Sequence, residues 1–151
     1  MSDVLRPSKN TYYMNIAREV ARRSNCTKRQ IGAIIVVEDR IVASGYNGTP
    51  RGIRNCFDGG CARCANKDIP SGTKLDECWC CHAEENAIVQ CSFSGIATKG
   101  GVLYTTFSPC LTCAKLLINA GIQEVVYWST YPQSCAPLLE QAGVKFWLLR
   151  D

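Results

Sequence analysis

Eleven cysteines in a chain of 151 residues constrain this sequence more than any other feature. Such a count means either a disulfide framework or a set of metal ligands, and the two ask for different folds. Residues 1–10 lack the apolar core of an export signal, and no apolar run approaches the roughly 18 residues of a membrane span. The expectation is therefore a soluble protein of the cytoplasm, with the nucleus as the alternative compartment and no membrane partner. There thiols stay reduced, so metal binding is the better reading. The odd count leaves at least one thiol outside any complete pairing, and Cys91 and Cys135, isolated in helix-like stretches, read as small buried hydrophobes.

The remainder of the chain reads as one compact domain over 1–151, a length at which a 46% hydrophobic composition buries most of its apolar surface. Tyr12, Tyr13, Ile16, Ala17, Val20 and Ala21 recur at the spacing of one helical face, with Ser8 as a cap. Residues 32–37 and 41–46 are β-branched runs separated by Glu38, Asp39 and Arg40, which predicts an antiparallel hairpin. Residues 47–81 change to Gly, Pro, Asn and Cys with little periodicity, a stretch too long for an ordinary loop. Helices are then expected at about 83–89, 110–120 and 137–141, and strands at 102–106, 124–127 and 144–149, with Gly121 and Gly143 at helix stops. A hairpin followed by alternating helices and strands implies an α/β fold: a mixed five-stranded sheet with helices on both faces, in three layers. The formal charge of +4 suits a small anionic ligand and falls short of a nucleic-acid binder, so no nucleic-acid partner is expected.

Two segments carry chemistry. Cys81-His82-Ala83-Glu84 contains His-x-Glu, and Ser108-Pro109-Cys110-Leu111-Thr112-Cys113 contains Pro-Cys-x-x-Cys, in the order that marks zinc-dependent deaminases. Cysteines three apart share a helical face and reach one metal, and Pro109 is placed to start that helix. A helix N-terminus together with zinc lowers thiol pKa, so Cys110 and Cys113 bind as thiolates. With His82, the only histidine in the chain, they supply three ligands and leave the fourth tetrahedral position for water, whose pKa zinc lowers to about 7. Deamination also needs a carboxyl group beside the metal that is not a ligand, and Glu84 is that group. Residues two apart inside a helix point roughly 200° away from each other, so His82 must lie at the very start of its helix if both it and Glu84 are to face the metal. Glu85 reads as a helix-surface residue and Asn86 as a core hydrogen-bonding residue.

The chain resembles the deoxycytidylate deaminases over nearly its whole length. The resemblance rests on Arg23-Ser24-Asn25-Cys26-Thr27-Lys28-Arg29, on Gly45-Tyr46-Asn47-Gly48 followed by Thr49 and Pro50, on the two zinc segments, and on 120–126; the Cys-rich insert is similar to that of fungal members. It implies the cytidine-deaminase-like fold and the conversion of dCMP to dUMP and ammonia, which supplies the precursor of thymidylate. It further implies substrate contacts from Asn47, Ser108 and Tyr131 and a regulatory site near Tyr46 to Gly48 responding to dCTP and dTTP. Members assemble as homo-oligomers such as hexamers. Taken alone, Gly45 to Gly48 is an ordinary turn. Arg29, Arg51 and Arg54 are the fork-shaped cations near these segments, with Arg29 and Arg51 also candidates for the regulatory site.

Cys26, Cys56, Cys61, Cys64, Cys78 and Cys80 lie in or beside the irregular stretch, and Cys61-x-x-Cys64 has zinc-ligand spacing. A structural zinc would order a segment with few apolar anchors, so at least one is expected besides the catalytic one. In related deaminases a second metal is held from positions matching Cys26, Cys56 and Cys80, which leaves a fourth ligand to come from Cys61, Cys64 or Cys78. Six candidates exceed one tetrahedral site, and a further zinc or free thiols are both open. Cys81 departs from the fungal pattern and reads as packing. The rivals to a dCMP deaminase are a deaminase of another cytosine nucleotide such as dCTP, a deaminase of a base in RNA, and a silent zinc-stabilised interaction module.

Overall fold

The computed structural model describes residues 5–130 and 135–150. Helix α1 (Lys9–Ala21) begins at Ser8, whose hydroxyl accepts a hydrogen bond from the Thr11 N–H at 3.2 Å, a standard way to satisfy an orphan donor of the first turn. Strands β1 (Gly32–Val37) and β2 (Arg40–Tyr46) pair antiparallel across Glu38 and Asp39. Both turn residues have positive φ, 51° and 62°, as a two-residue turn matched to strand twist requires. The Tyr13 hydroxyl donates to the Asp39 carboxylate at 2.6 Å and so fastens this turn to α1.

After the short helix α2 (Ala62–Ala65), the chain alternates: α3 (Ala83–Ser94), β3 (Val102–Thr105), α4 (Leu111–Asn119), β4 (Glu124–Tyr127), α5 (Ala136–Gln141) and β5 (Lys145–Leu148). The sheet order is β2-β1-β3-β4-β5, antiparallel where β1 meets β2 and β3, and parallel from β3 through β5. This is the mixed five-stranded sheet that the alternation of elements predicts. Among the described residues no helix is long and apolar enough to cross a membrane.

Strand alternation sorts the core into two halves. Ile34, Val36, Tyr104 and Val126 face α1 through Tyr13, Met14 and Ala17. Ala33, Ile35, Leu103 and Val125 face the other way, against Ala83, Ala87 and Cys91 of α3, Ala114 and Leu117 of α4 and Leu139 of α5. Cys91 and Cys135 are both buried in this second half, where each acts as a small apolar side chain.

Two boundaries that bear on the site differ from the sequence expectation, while the others shift by a residue at most. Helix α3 continues to Ser94 rather than stopping near Val89, because Gly95, at φ 70°, closes it with N–H bonds to the Cys91 and Ser92 carbonyls. Helix α4 begins after Cys110, not at it; Cys110 is the cap, with extended backbone. The irregular stretch is not wholly without structure, since α2 and the 3-10 turns Cys56–Asp58 and Leu75–Glu77 lie within it.

The sheet meets its helices at two glycines. A Cβ on Gly32 would lie 2.2 Å from the Ala17 carbonyl oxygen of α1, and one on Gly45 would lie 2.3 Å from the Ala83 carbonyl oxygen of α3. No side chain fits there, and backbone cannot yield as a flexible side chain would. Gly45 thereby sets how closely the first turn of α3 approaches the sheet. Gly45→Ala should destabilise the fold by about 1–3 kcal/mol, read as a lowered urea or thermal midpoint. An unchanged midpoint would show that α3 has room to retreat.

Candidate active site and thiolate cluster

His82 is the N-cap of α3, with φ −80° and ψ 157°, the position that its spacing from Glu84 demands. Its backbone N–H is held by the Glu85 carboxylate at 2.9 Å, which gives Glu85 a capping role beyond that of a helix-surface residue. Cys110 is the N-cap of α4 and accepts from the Cys113 N–H at 3.4 Å. Two helix N-termini therefore meet at one point, each adding partial positive charge that favours thiolate.

His82 Nδ1 lies 3.2 Å from the Cys113 sulfur and 3.4 Å from that of Cys110. In a tetrahedron with Zn–N near 2.0 Å and Zn–S near 2.3 Å, a nitrogen–sulfur edge is about 3.5 Å, so the three donors sit within a few tenths of an ångström of what zinc requires. One nitrogen and two sulfurs also match a borderline-soft dication. The Cys110 thiol is pulled down to about 4, first by its hydrogen bond with Cys113, and that same bond together with burial pushes Cys113 up. The hydrogen bond to Cys110 raises His82 to about 9 against the opposing effect of its burial.

Glu84, in the first turn of the same helix, is 3% exposed, and burial pushes its carboxyl above the usual range. The Thr105 hydroxyl, at the end of β3, lies 2.9 Å from Glu84 Oε1. Thr105 was not singled out by sequence reasoning, although alternation puts it with Leu103 on the face of β3 that looks toward α3. His82, Glu84, Cys110, Asn47, Ser108 and Arg29 line one pocket, and the Arg29 guanidinium stacks 4.1 Å from the centre of the Phe107 ring.

Asn47 is a knot as well as a pocket residue. Its side-chain oxygen accepts from the Ile31 N–H at 2.8 Å and its amide donates to the Arg29 carbonyl at 2.7 Å. The Ser24 hydroxyl lies 2.6 Å from that side-chain oxygen and 2.7 Å from the Asn47 carbonyl oxygen, and donates to one of them. Gly48 exchanges backbone hydrogen bonds with Cys81 at 3.1 and 2.7 Å, tying this loop to the residue before His82. Asn86, half-buried, donates to the Tyr46 carbonyl at 2.8 Å. Tyr46, Arg51 and Arg54 are exposed and are not among the pocket residues, while Tyr131 lies outside the described residues.

The other six candidate cysteines draw together in a separate buried group of Cys26, Cys56, Cys61, Cys64 and Cys80 with Cys78 at its edge. Two sets of four have all their sulfurs within 4.8 Å of one another: Cys26, Cys56, Cys64 and Cys80, and Cys61, Cys64, Cys78 and Cys80. Cys81 belongs to neither set.

Residues 7–129 match the family described as the cytidine and deoxycytidylate deaminase zinc-binding region. The chain is 45% identical over 142 residues to a deoxycytidylate deaminase of Schizosaccharomyces pombe, covering 93% of this chain and 44% of that one. It is 42% identical over 146 residues to the deoxycytidylate deaminase of Saccharomyces cerevisiae, covering 95% and 46%. It thus spans less than half the length of these two relatives. Its fold superposes on the crystal structure of a dCMP deaminase from the cyanophage S-TIM5 in complex with dCMP and dUMP with a TM-score of 0.80, at 32% identity, over 97% of this chain and all of that one.

The bonding of Asn47 makes a stability prediction. Asn47→Ala leaves the Ile31 N–H and the Arg29 carbonyl without their partner and should cost about 2–4 kcal/mol in unfolding free energy. A residue that only touched a ligand would leave the urea midpoint of the ligand-free protein unmoved, which is the contrary result.

Proposed function

Because this chain belongs to the cytidine and deoxycytidylate deaminase family, matched through its zinc-binding region, we propose that it catalyses the hydrolytic deamination of dCMP to dUMP and ammonia. The observation that carries the reading is the convergence of His82 Nδ1 with the Cys110 and Cys113 sulfurs beside a buried carboxyl, Glu84, in the same pocket. A purely structural metal site has no use for a buried acid that is not a ligand.

His82, Cys110 and Cys113 would hold the zinc, which would supply the Lewis acidity that makes water a nucleophile near neutral pH. Glu84 takes one proton from the attacking water and passes it to ring N3, then takes the second from the new C4 hydroxyl and passes it to the departing amine, so water and dCMP become dUMP and ammonia. Burial raises its carboxyl above the usual range, the direction that suits a group that must hold a proton during the reaction. Thr105 is a positioning residue that aims Oε1. Asn47 and Ser108 are assigned to the nucleotide, as is Tyr131 on the resemblance. Of the three fork-shaped cations only Arg29 is among the pocket residues, and it is assigned to the 5′-phosphate.

The same reading takes residues 1–151 as one deaminase domain carrying a Cys-rich insert at about 47–81. It assigns a regulatory site for dCTP and dTTP to Tyr46, Gly48, Arg29 and Arg51, of which Tyr46 and Arg51 are exposed. Assembly into a homo-oligomer is supported by apolar side chains exposed on the helices beside the site, Val89 and Phe93 of α3 and Leu111 and Leu116 of α4.

Ammonia release should be measured from dCMP, dCTP, deoxycytidine and CMP in parallel, with and without dCTP or dTTP as effector. Preference for dCMP is expected, and preference for another substrate would overturn the assignment. Glu84→Gln should keep its zinc and lose about 10²–10⁴ in kcat; wild-type turnover would remove Glu84 from the chemistry. Thr105→Val should keep zinc and substrate affinity while lowering kcat and moving its pH profile, whereas a role in packing alone would leave the profile in place.

A further inference from the structure

The six cysteines of the insert cannot be divided between one metal site and bystanders without ignoring half of their geometry. The two tetrads share Cys64 and Cys80, so their union is six residues, with Cys26 and Cys56 on one side of the shared pair and Cys61 and Cys78 on the other. Sulfur separations in the two tetrads agree to within a few tenths of an ångström: 3.9 Å for Cys26 to Cys64, 3.8 Å for Cys61 to Cys78 and 3.7 Å for Cys64 to Cys78. The edge of a tetrahedron with zinc–sulfur bonds of about 2.3 Å is about 3.8 Å. A disulfide would need about 2.05 Å, so these are not cystines.

Donors in the surroundings treat the second tetrad as acceptors too. The Trp79 N–H points to the Cys61 sulfur at 3.3 Å, and the buried Arg63 guanidinium lies 3.4 Å from the Cys64 sulfur and 4.0 Å from that of Cys78. Cys61 and Cys78 would be idle thiols if only the first tetrad held a metal, yet an N–H and a guanidinium are aimed at them. The hydrophobic cluster of this region consists of cysteines, and between Cys56 and Cys80 the other buried side chains are those of Arg63 and Ile69.

We infer that Cys26, Cys56, Cys61, Cys64, Cys78 and Cys80 form one binuclear zinc–thiolate cluster, in which Cys64 and Cys80 each bridge both metals. Each zinc then has four sulfurs, two bridging and two terminal. Six thiolates and two dications leave a net charge of −2, which Arg63 faces directly. Cys80 precedes His82 by two residues, and Cys78 and Cys80 line the pocket with His82 and Glu84. The cluster therefore fixes the pocket wall and the approach to α3 at once. It also explains why a segment with so little oil holds one shape.

The test has readouts independent of deamination. The purified chain should carry three zincs, and two should remain in His82→Ala, which lacks an active-site ligand. Loaded with ¹¹³Cd, the cluster should give two tetrathiolate resonances, each split by coupling through the shared sulfurs. Cys61→Ser should lower zinc content by one per chain. Should that variant fail to fold, the cadmium spectrum of the unaltered chain decides. A single cluster resonance, two unsplit ones, or two zincs per chain with Cys61 and Cys78 readily alkylated in the native protein would overturn the inference.

Discussion

Everything chemical in this molecule depends on two helix starts being brought together. His82 opens α3 and Cys110 opens α4, and at a cap the side chain projects off the end of the helix instead of from its flank. Only there can residues two apart, His82 and Glu84, both address one point. The same placement puts the positive ends of two helices beside the thiols, and it brings Cys113 and His82 within reach of Cys110, whose pKa their hydrogen bonds lower. The sheet holds this arrangement in place through Gly45, whose missing Cβ lets the first turn of α3 close on β2, and through Thr105, which reaches across from β3 to the Glu84 carboxyl.

The insert and the loop after β2 bear on that centre from outside. Gly48 pairs with Cys81, and Asn47 ties together the Ser24, Arg29 and Ile31 segments. The chain that leads into His82 is thus clamped by a backbone bridge on one side and by cysteines on the other. A buried amide with this many partners is held in one orientation before any ligand arrives, the kind of preorganisation that lowers the ordering cost of binding.

Much of this was legible in the sequence, for physical reasons that differ by element. Strand alternation and the β-branched runs place the hairpin and the three later strands to within a residue or two, because burial on two faces leaves little choice. The end of α3 was missed because Gln90 and Ser92 interrupt the apolar pattern, while the stop signal that matters, Gly95, lies further on. The start of α4 was placed one residue early, since spacing shows that Cys110 and Cys113 share a metal but not that one of them caps the helix. Cys61-x-x-Cys64 is readable as ligand spacing, and six cysteines are too many for one tetrahedral site, but the sequence leaves a further zinc and free thiols both open. That two tetrads share a pair of sulfurs is a property of three-dimensional proximity, and no spacing rule expresses it. Thr105, Ser24 and Trp79 act through hydrogen bonds to particular distant partners, and residue spacing alone does not name those partners.

The central claim is a metal centre with three protein ligands and an acid beside it that is not a fourth. Anomalous diffraction at the zinc absorption edge, from crystals of the purified chain, addresses it directly. The expected result is a peak bonded to His82 Nδ1 and to the Cys110 and Cys113 sulfurs, with the Glu84 carboxyl near the metal but outside its coordination shell. A peak with Glu84 as a ligand, or no metal at these three residues, would contradict it.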